Sequence, residues 1–233
     1  MSTIIATPAI TKFRNAERQQ QSLLAPLERK TLAWLASRMP ARIGSDHLTI
    51  LGLFALVMAG ASYALAAWWA SAILLVNLWL AVNWFGDSLD GTLARFRKQQ
   101  RPRYGFYVDH MVDSFGALFV LGGLAWSGLM SERVALSLLV AFLLLSIDSY
   151  LAAYTRGKFN LSFWLFSPTE LRILLALGNV VAFWKPTIVF LGERHSFFNV
   201  GGSIGAVCMG VVLLVNVARN TACLYREERI AKN

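Results

Sequence analysis

Residues 72–94 read AILLVNLWLAVNWFGDSLDGTLA. Residues 72–85 carry no charge, and the whole run reaches the roughly 20 residues that a helix needs to cross a bilayer. Its end carries two acids, Asp87 and Asp90. A charge near the centre of a membrane helix costs about 2.5–3.5 kcal/mol, and less toward the ends. The segment therefore predicts a membrane-spanning helix with a functional end. Working outward, five more apolar runs of similar length lie near 48–69, 105–127, 133–155, 169–191 and 200–222. A very short turn at 68–71 joins the first two spans. Lys185 and Pro186 interrupt the fifth run and leave its outer end undefined. The expected fold is an all-α membrane protein with six transmembrane helices.

The composition agrees. Of 233 residues, 56% are hydrophobic and 15% charged, against about 45–50% and about 25% in soluble domains. That excludes an ordinary soluble domain and a disordered chain. Eight Trp, six Tyr and fifteen Phe suit aromatic belts at the membrane interfaces. Cys208 and Cys223 fall in one predicted helix, roughly 22 Å apart along its axis, so they cannot pair with each other. Lys12, Arg14 and Arg18 precede no apolar core, so the first 20 residues do not read as a cleavable signal peptide. Residues 26–39 mix Leu27, Leu32, Trp34 and Leu35 with Glu28, Arg29, Lys30 and Arg38. They predict an amphipathic helix lying in the interface. The chain divides into a cytoplasmic N-terminal segment (1–46), a six-helix transmembrane domain (47–225) and a cytoplasmic tail (226–233).

Nineteen of the 22 Lys and Arg residues fall in the N-terminal segment, the loops after the second and fourth spans, and the C-terminal tail. Only Arg133, Lys185 and Arg194 lie on the other side. Both termini are therefore expected in the cytoplasm. The lack of a signal peptide and the compact chain suggest a bacterial inner membrane, with an intracellular eukaryotic membrane as the other option. The net charge of +9 is then a topology signal and an attraction to anionic lipids. A nucleic-acid partner would need a concentrated basic face, and none is visible.

Asp87 and Asp90 are spaced i,i+3, and Asp109 and Asp113 i,i+4, so each pair shares a helix face. The connection at 96–104 is short enough to predict that the two helices are antiparallel neighbours, with all four carboxylates converging. Such hard oxygen ligands suit Mg²⁺, Mn²⁺ or Ca²⁺. The rival is a cationic counter-ion such as Arg95, but one Arg cannot balance four acids. Two ions would neutralise them best, although the number stays open. Gly86, Gly91, Ala94 and Gly105 surround the acids. Small residues there serve either helix packing or the close approach of a ligand.

The run Asp87-Ser88-Leu89-Asp90-Gly91-Thr92-Leu93-Ala94-Arg95, followed by Gly105-Phe106-Tyr107-Val108-Asp109-His110-Met111-Val112-Asp113, resembles the signature of the CDP-alcohol phosphotransferases. All eight signature residues are present. Ser45-Asp46-His47-Leu48-Thr49 and Gly52 resemble the family's entry to its first span, with Ser-Asp in place of Pro-Asn. Nine residues separate Arg95 from Gly105 where the common pattern has eight. The extra residue falls between helices, where it costs little.

The resemblance implies an integral membrane enzyme that transfers a substituted phosphate from a CDP-alcohol to the hydroxyl of a second alcohol, releasing CMP. It implies metal ligation by Asp87, Asp90, Asp109 and Asp113, with Asp113 also the general base. Gly91, Ala94, Arg95 and Gly105 would line the cytidine diphosphate site, and Mg²⁺ or Mn²⁺, two ions by preference, would be the cofactor. One substrate is expected to be a lipid. CDP-diacylglycerol with a small polar alcohol is the first choice, the alcohol being serine, inositol, inositol phosphate or glycerol phosphate. A polar donor of the CDP-choline or CDP-ethanolamine type with diacylglycerol is the alternative. The short stretch Pro168-Thr169-Glu170 resembles the eukaryotic choline and ethanolamine enzymes and leans that way, although it also reads as a helix start. The family resemblance further suggests a homodimer.

Other residues carry two readings each. Asp148 is expected either to bond Ser146 or Ser149 or to contact the polar acceptor. Glu170 and Arg172 are acceptor candidates; Arg172 and Arg156 read equally as interface anchors. His110 points about 100° away from Asp109 and reads as a packing or interfacial residue, with substrate contact as the other reading. Gly201 and Gly205 suggest intramolecular packing of the last span. The non-enzyme alternatives are a divalent-cation transporter, which predicts acids near the midplane and repeat symmetry, and a catalytically silent lipid-binding relative. The acids crowd one end, there is no repeat, and all four acids are intact.

Overall fold

The computed structural model describes residues 25–156, 168–190 and 192–228. Among these it has seven helices: α1 (Ala25–Arg38), α2 (Ser45–Leu65), α3 (Ala72–Phe96), α4 (Pro102–Trp126), α5 (Glu132–Arg156), α6 (Pro168–Trp184) and α7 (Phe197–Glu227). A hairpin of β1 (Thr187–Phe190) and β2 (Glu193–Ser196) separates the last two. Lys12, Arg14, Arg18, Lys158, Ser167, Arg229 and Lys232 lie outside the described residues, as do residues 1–24 of the predicted N-terminal segment and 229–233 of the predicted tail.

Five helices, α2, α3, α4, α5 and α7, are long and apolar enough to cross a membrane, and they fit an integral membrane protein. The fifth expected run is corrected in its extent. Residues 169–191 do not form one helix. Helix α6 has 17 residues, about 26 Å at 1.5 Å per residue, at the lower limit of what spans a hydrocarbon core of about 30 Å. It stops at Trp184 because Pro186 lacks an N–H and restricts Lys185 before it. The chain then turns back as an antiparallel ribbon in register from Thr187 opposite Ser196 to Phe190 opposite Glu193. Gly192, at φ 88°, takes the left-handed conformation in its turn. Cys208 and Cys223 do share one helix, α7, and both are free thiols.

Helix α1 forms where the amphipathic segment was expected. Leu32 and Ala36 share one face and are buried with Leu48, Leu89 and Leu93 of α2 and α3. Trp34 and Leu27 point outward. The guanidinium of Arg97 ties the end of α1 to the loop after α3, donating to the carbonyls of Met39 (3.0 Å), Pro40 (2.9 Å) and Ile43 (2.6 Å).

Helix α2 is the centre of the bundle and packs on both α3 and α4. Glycine makes this approach close. A Cβ on Gly60 would stand 2.3 Å from the carbonyl oxygen of Phe119, and one on Gly123 would stand 2.1 Å from that of Gly60. On the other side, a Cβ on Gly86 would meet the carbonyl oxygen of Leu48 at 2.6 Å. Contacts therefore run from α6 to α3, α2, α4, α5 and α7, with a light contact from α7 back to α6. Helices α5 and α7 pack on each other, but Leu144, Ile147, Val207, Val211 and Leu214 stay exposed on them. Outward apolar faces are what hydrocarbon surroundings require.

A buried polar chain ties three helices together. The Tyr63 hydroxyl donates to Asn179 Oδ1 at 2.6 Å. Asn179 Nδ2 donates to Asn77 Oδ1 at 2.8 Å, and Asn77 Nδ2 to the carbonyl of Ala176 at 3.1 Å. With little hydrophobic drive between membrane helices, such bonds hold α2, α3 and α6 in register.

Candidate active site

The acids of α3 have different partners. The Arg172 guanidinium, reaching from the first turns of α6, donates to Asp87 Oδ2 at 2.5 Å and to Asn83 Oδ1 at 2.8 Å. Asn83 in turn donates to the carbonyl of Gly52 at 3.0 Å, so α2, α3 and α6 meet here. The pair is largely shielded, with 15% of the Arg172 side chain and 21% of the Asp87 side chain exposed. Asp90 Oδ2 accepts from the Thr49 hydroxyl at 2.6 Å, and its other oxygen takes the backbone N–H of Gly91. The Ser45 hydroxyl donates to the carbonyl of Asp90 at 3.1 Å. The resembling entry motif thus has a structural task, because Ser45 and Thr49 both hold Asp90.

On α4, Asp109 and Asp113 are half-buried. The charges of Asp87 and Asp109 both act on Asp90, and those of Asp113 and Asp109 act on Tyr150 of α5. The Ser146 and Ser114 hydroxyls donate to the carbonyls of Phe142 and His110 one turn back in their own helices. The four carboxylates therefore belong to one electrostatic neighbourhood at one end of the bundle. The expected geometry is corrected in one respect. Any direct contact between α3 and α4 is slight, because α2, thinned by its glycines, packs closely on both.

By chemistry this donor set fits a hard divalent cation. As the side chains stand, no three His, Cys, Asp or Glu among the described residues gather around one point. Asp87 is turned to Arg172, and Asp90 to Thr49 and Gly91. The counter-ion of Asp87 is Arg172, from a distant helix. Arg95 is exposed and donates to Thr92 Oγ1 at 3.0 Å.

The small residues separate into the two readings. Gly86 is a packing residue, pressed on Leu48 and Gly52. A Cβ on Gly105 would meet nothing within 4 Å, and one on Gly91 would meet only the Arg95 guanidinium, nearest at 3.4 Å. No packing need explains glycine at those two positions. Ala94 lines a cavity of about 490 Å³ between the start of α2 and the loop after α3, bounded by residues 44–47, 93–94 and 99–101. Gly91, Arg95 and Gly105 are not among its lining residues. An Arg101–Asp46 ion pair joins two of its walls.

The remaining candidates are resolved singly. His110 is buried, with Nδ1 at 2.5 Å from the carbonyl of Phe106 and its ring edge-on to Tyr150 at 4.6 Å, which makes it a packing residue. Asp148 is bonded by neither serine that the sequence offers. Asn220 of α7 donates to its Oδ1 at 3.3 Å, and Arg156 donates to Asn220 Oδ1 at 2.6 Å. Arg156 thus joins α5 to α7. Glu170 Oε1 is buried, and Thr169 donates to Glu28 Oε1 at 2.7 Å. Of the last-span glycines, Gly202 and Gly205 face Val134, Met130 and Leu138 of the α5 region, whereas Gly201 faces open space. Sequence reading missed Glu28 and Asn220 as partners of the site and its flanking helices, since neither carries a spacing signal of its own.

Carboxylates at one end of a membrane helix bundle, beside a cation and a cavity, suit a membrane protein that handles a charged substrate. The sequence profile described as CDP-alcohol phosphatidyltransferase matches residues 43–193. An archaetidylinositol phosphate synthase of Pyrococcus horikoshii is 33% identical over 194 residues, covering 82% of this chain and 89% of the relative. The chain belongs to the CDP-alcohol phosphatidyltransferase family, and it is a transferase of that kind, acting in phospholipid head-group transfer.

Proposed function

We propose that the protein transfers the phosphatidyl-type group of a lipid CDP-alcohol, CDP-diacylglycerol by first choice, to a hydroxyl of a small phosphorylated polyol of the inositol phosphate kind. CMP is released. The observation that carries this reading is the shared neighbourhood of Asp87, Asp90 and Asp109, flanked by Arg172 and, through Ser45 and Ala94, by the cavity. The relative's name, an archaetidylinositol phosphate synthase, supports the acceptor class. Arg172 is a cation that an anionic acceptor would meet beside the acids.

Asp87, Asp90, Asp109 and Asp113 would hold one or two Mg²⁺ or Mn²⁺ ions, which when bound neutralise the diphosphate and favour departure of CMP. Gly91 and Gly105 leave room for the diphosphate chain, and Ala94 and Arg95 border the nucleotide. Asp113 accepts the proton of the acceptor hydroxyl as its oxygen bonds to the phosphorus bearing the lipid alcohol. The bond from that phosphorus to the CMP oxygen breaks. The lipid tails stay in the bilayer, with both termini cytoplasmic, α1 in the interface and a second copy of the chain as partner.

The test is CMP release by purified protein in lipid with Mg²⁺, with EDTA as blank. CDP-diacylglycerol and CDP-ethanolamine are offered separately, each with a panel of acceptors. Release from CDP-diacylglycerol that needs inositol phosphate is expected; release from CDP-ethanolamine alone reverses the donor assignment. Asp113→Asn should keep metal-dependent nucleotide binding and lose turnover, whereas Asp90→Asn should lose that binding. Unchanged activity in both variants would remove the proposed site.

A further inference from the structure

Glu28 lies on α1, outside the signature and outside the residues 43–193 that match the family profile. It shares a face with Leu32 and Ala36, at i+4 and i+8, and that face is the one buried against α3. Exposure rises on either side of it, at Leu27 and Arg29, while Glu28 is half-buried. A single oxygen, Oε1, accepts from the Trp84 indole N–H at 2.9 Å, from Ser88 at 3.4 Å and from the Thr169 hydroxyl at 2.7 Å. Trp84 and Ser88 bracket Asp87 on α3, and Thr169 stands one helical turn before Arg172 on α6. The carboxylate thus joins three helices beside the Asp87–Arg172 pair.

We infer that Glu28 is a positioning residue for the transfer reaction: it clamps the start of α6 to α3 and so sets where the Arg172 guanidinium stands relative to Asp87. The functional consequence rests on the proposed transferase site; the clamp itself does not. Helix α6 needs such a clamp. Its first turn follows directly on residues 157–167 and brings little buried apolar surface, since only Asn179 and Ala182 of the helix are buried and both lie toward its far end. A tenfold effect on a rate that depends on this placement corresponds to about 1.4 kcal/mol.

The test uses the full chain in lipid. Glu28→Ala should reduce kcat/KM for the acceptor about tenfold, with KM for the CDP-alcohol donor within about twofold. Glu28→Gln keeps a carbonyl oxygen able to accept the same bonds and should remain within about threefold of the parent. In an Arg172→Ala background, Glu28→Ala should change kcat/KM by less than about twofold, because the guanidinium it positions is gone. Leu32→Ala, on the same face of α1, should lower thermal stability while its effect adds to that of Arg172→Ala. Amide exchange provides a readout independent of activity: residues 169–173 should lose protection in Glu28→Ala and keep it in Glu28→Gln. Unchanged exchange in Glu28→Ala, losses that add with Arg172→Ala, or failure of Gln to restore would each overturn the assignment. If the parent protein releases no CMP from any donor, the transferase reading fails, and exchange alone decides the clamp.

Discussion

Gly86→Ala adds one methyl where α3 crosses α2. That methyl would lie 2.6 Å from the carbonyl oxygen of Leu48, 2.8 Å from the amide nitrogen of Gly52 and 3.0 Å from its Cα. All three are backbone atoms, so no side chain can swing aside. Restoring an ordinary contact of about 3.4 Å requires α3 to move about 0.8 Å away from α2. The Thr49–Asp90 bond crosses the same interface at 2.6 Å. The same movement stretches it toward 3.4 Å, past the useful range. Overpacking of this kind costs about 1–3 kcal/mol, against about 1 kcal/mol gained from replacing glycine inside a helix. The net effect is a loss of up to about 2 kcal/mol, together with displacement of Asp90. Gly122→Ala is the matched control: the residue is also inside a helix, and its added methyl meets nothing within 4 Å. Thermal unfolding in lipid nanodiscs should place Gly86→Ala below the parent and Gly122→Ala at or above it. CMP release per folded molecule should fall only for Gly86→Ala. Equal behaviour of the two variants would refute the argument that backbone contact at Gly86 holds the site.

Tyr63→Phe leaves Asn179 Oδ1 buried without its donor, and should cost about 1–3 kcal/mol of stability with turnover per folded molecule unchanged; chemical or thermal unfolding checks the first and CMP release the second. Arg172→Ala leaves the shielded Asp87 carboxylate without its counter-ion. Its unfolding temperature should fall in EDTA and recover more on Mg²⁺ addition than that of the parent, a difference read by titrating Mg²⁺ during thermal unfolding. Asn220→Ala removes the link between Arg156 and Asp148, and should raise amide exchange at the ends of α5 and α7 while leaving α2 and α3 unchanged.

The spans of α2 to α5 and α7 were legible because long uncharged runs have few other uses. The acids were legible because charge in such runs is costly and because their spacing repeats with the helix. Two features hid the rest. The apolar count through 169–191 is high, yet Pro186 ends hydrogen bonding there whatever the hydropathy, so the expected span became a short helix and a hairpin. The partners of the acids come from distant segments. Thr49 is 41 residues from Asp90 and Arg172 is 85 from Asp87. No local periodicity links such residues; only the α2–α3 and α3–α6 contacts bring them together. Extensive direct α3–α4 packing did not form for a similar reason. Chain continuity makes neighbours plausible, but the glycines of α2 offered both helices a closer surface.

Because α3 and α4 each rest on α2, the five residues between Phe96 and Pro102 work as a tether and not as a gauge. The distance between the two halves of the signature is transmitted through the backbone of a helix that contributes no carboxylate to it. An extra residue within the tether is therefore absorbed as slack. An equally small change on the glycine face of α2 would be passed on to both acid pairs at once. Sequence drift should accordingly be tolerated where the chain connects the motif and punished on a helix that lies mostly outside it.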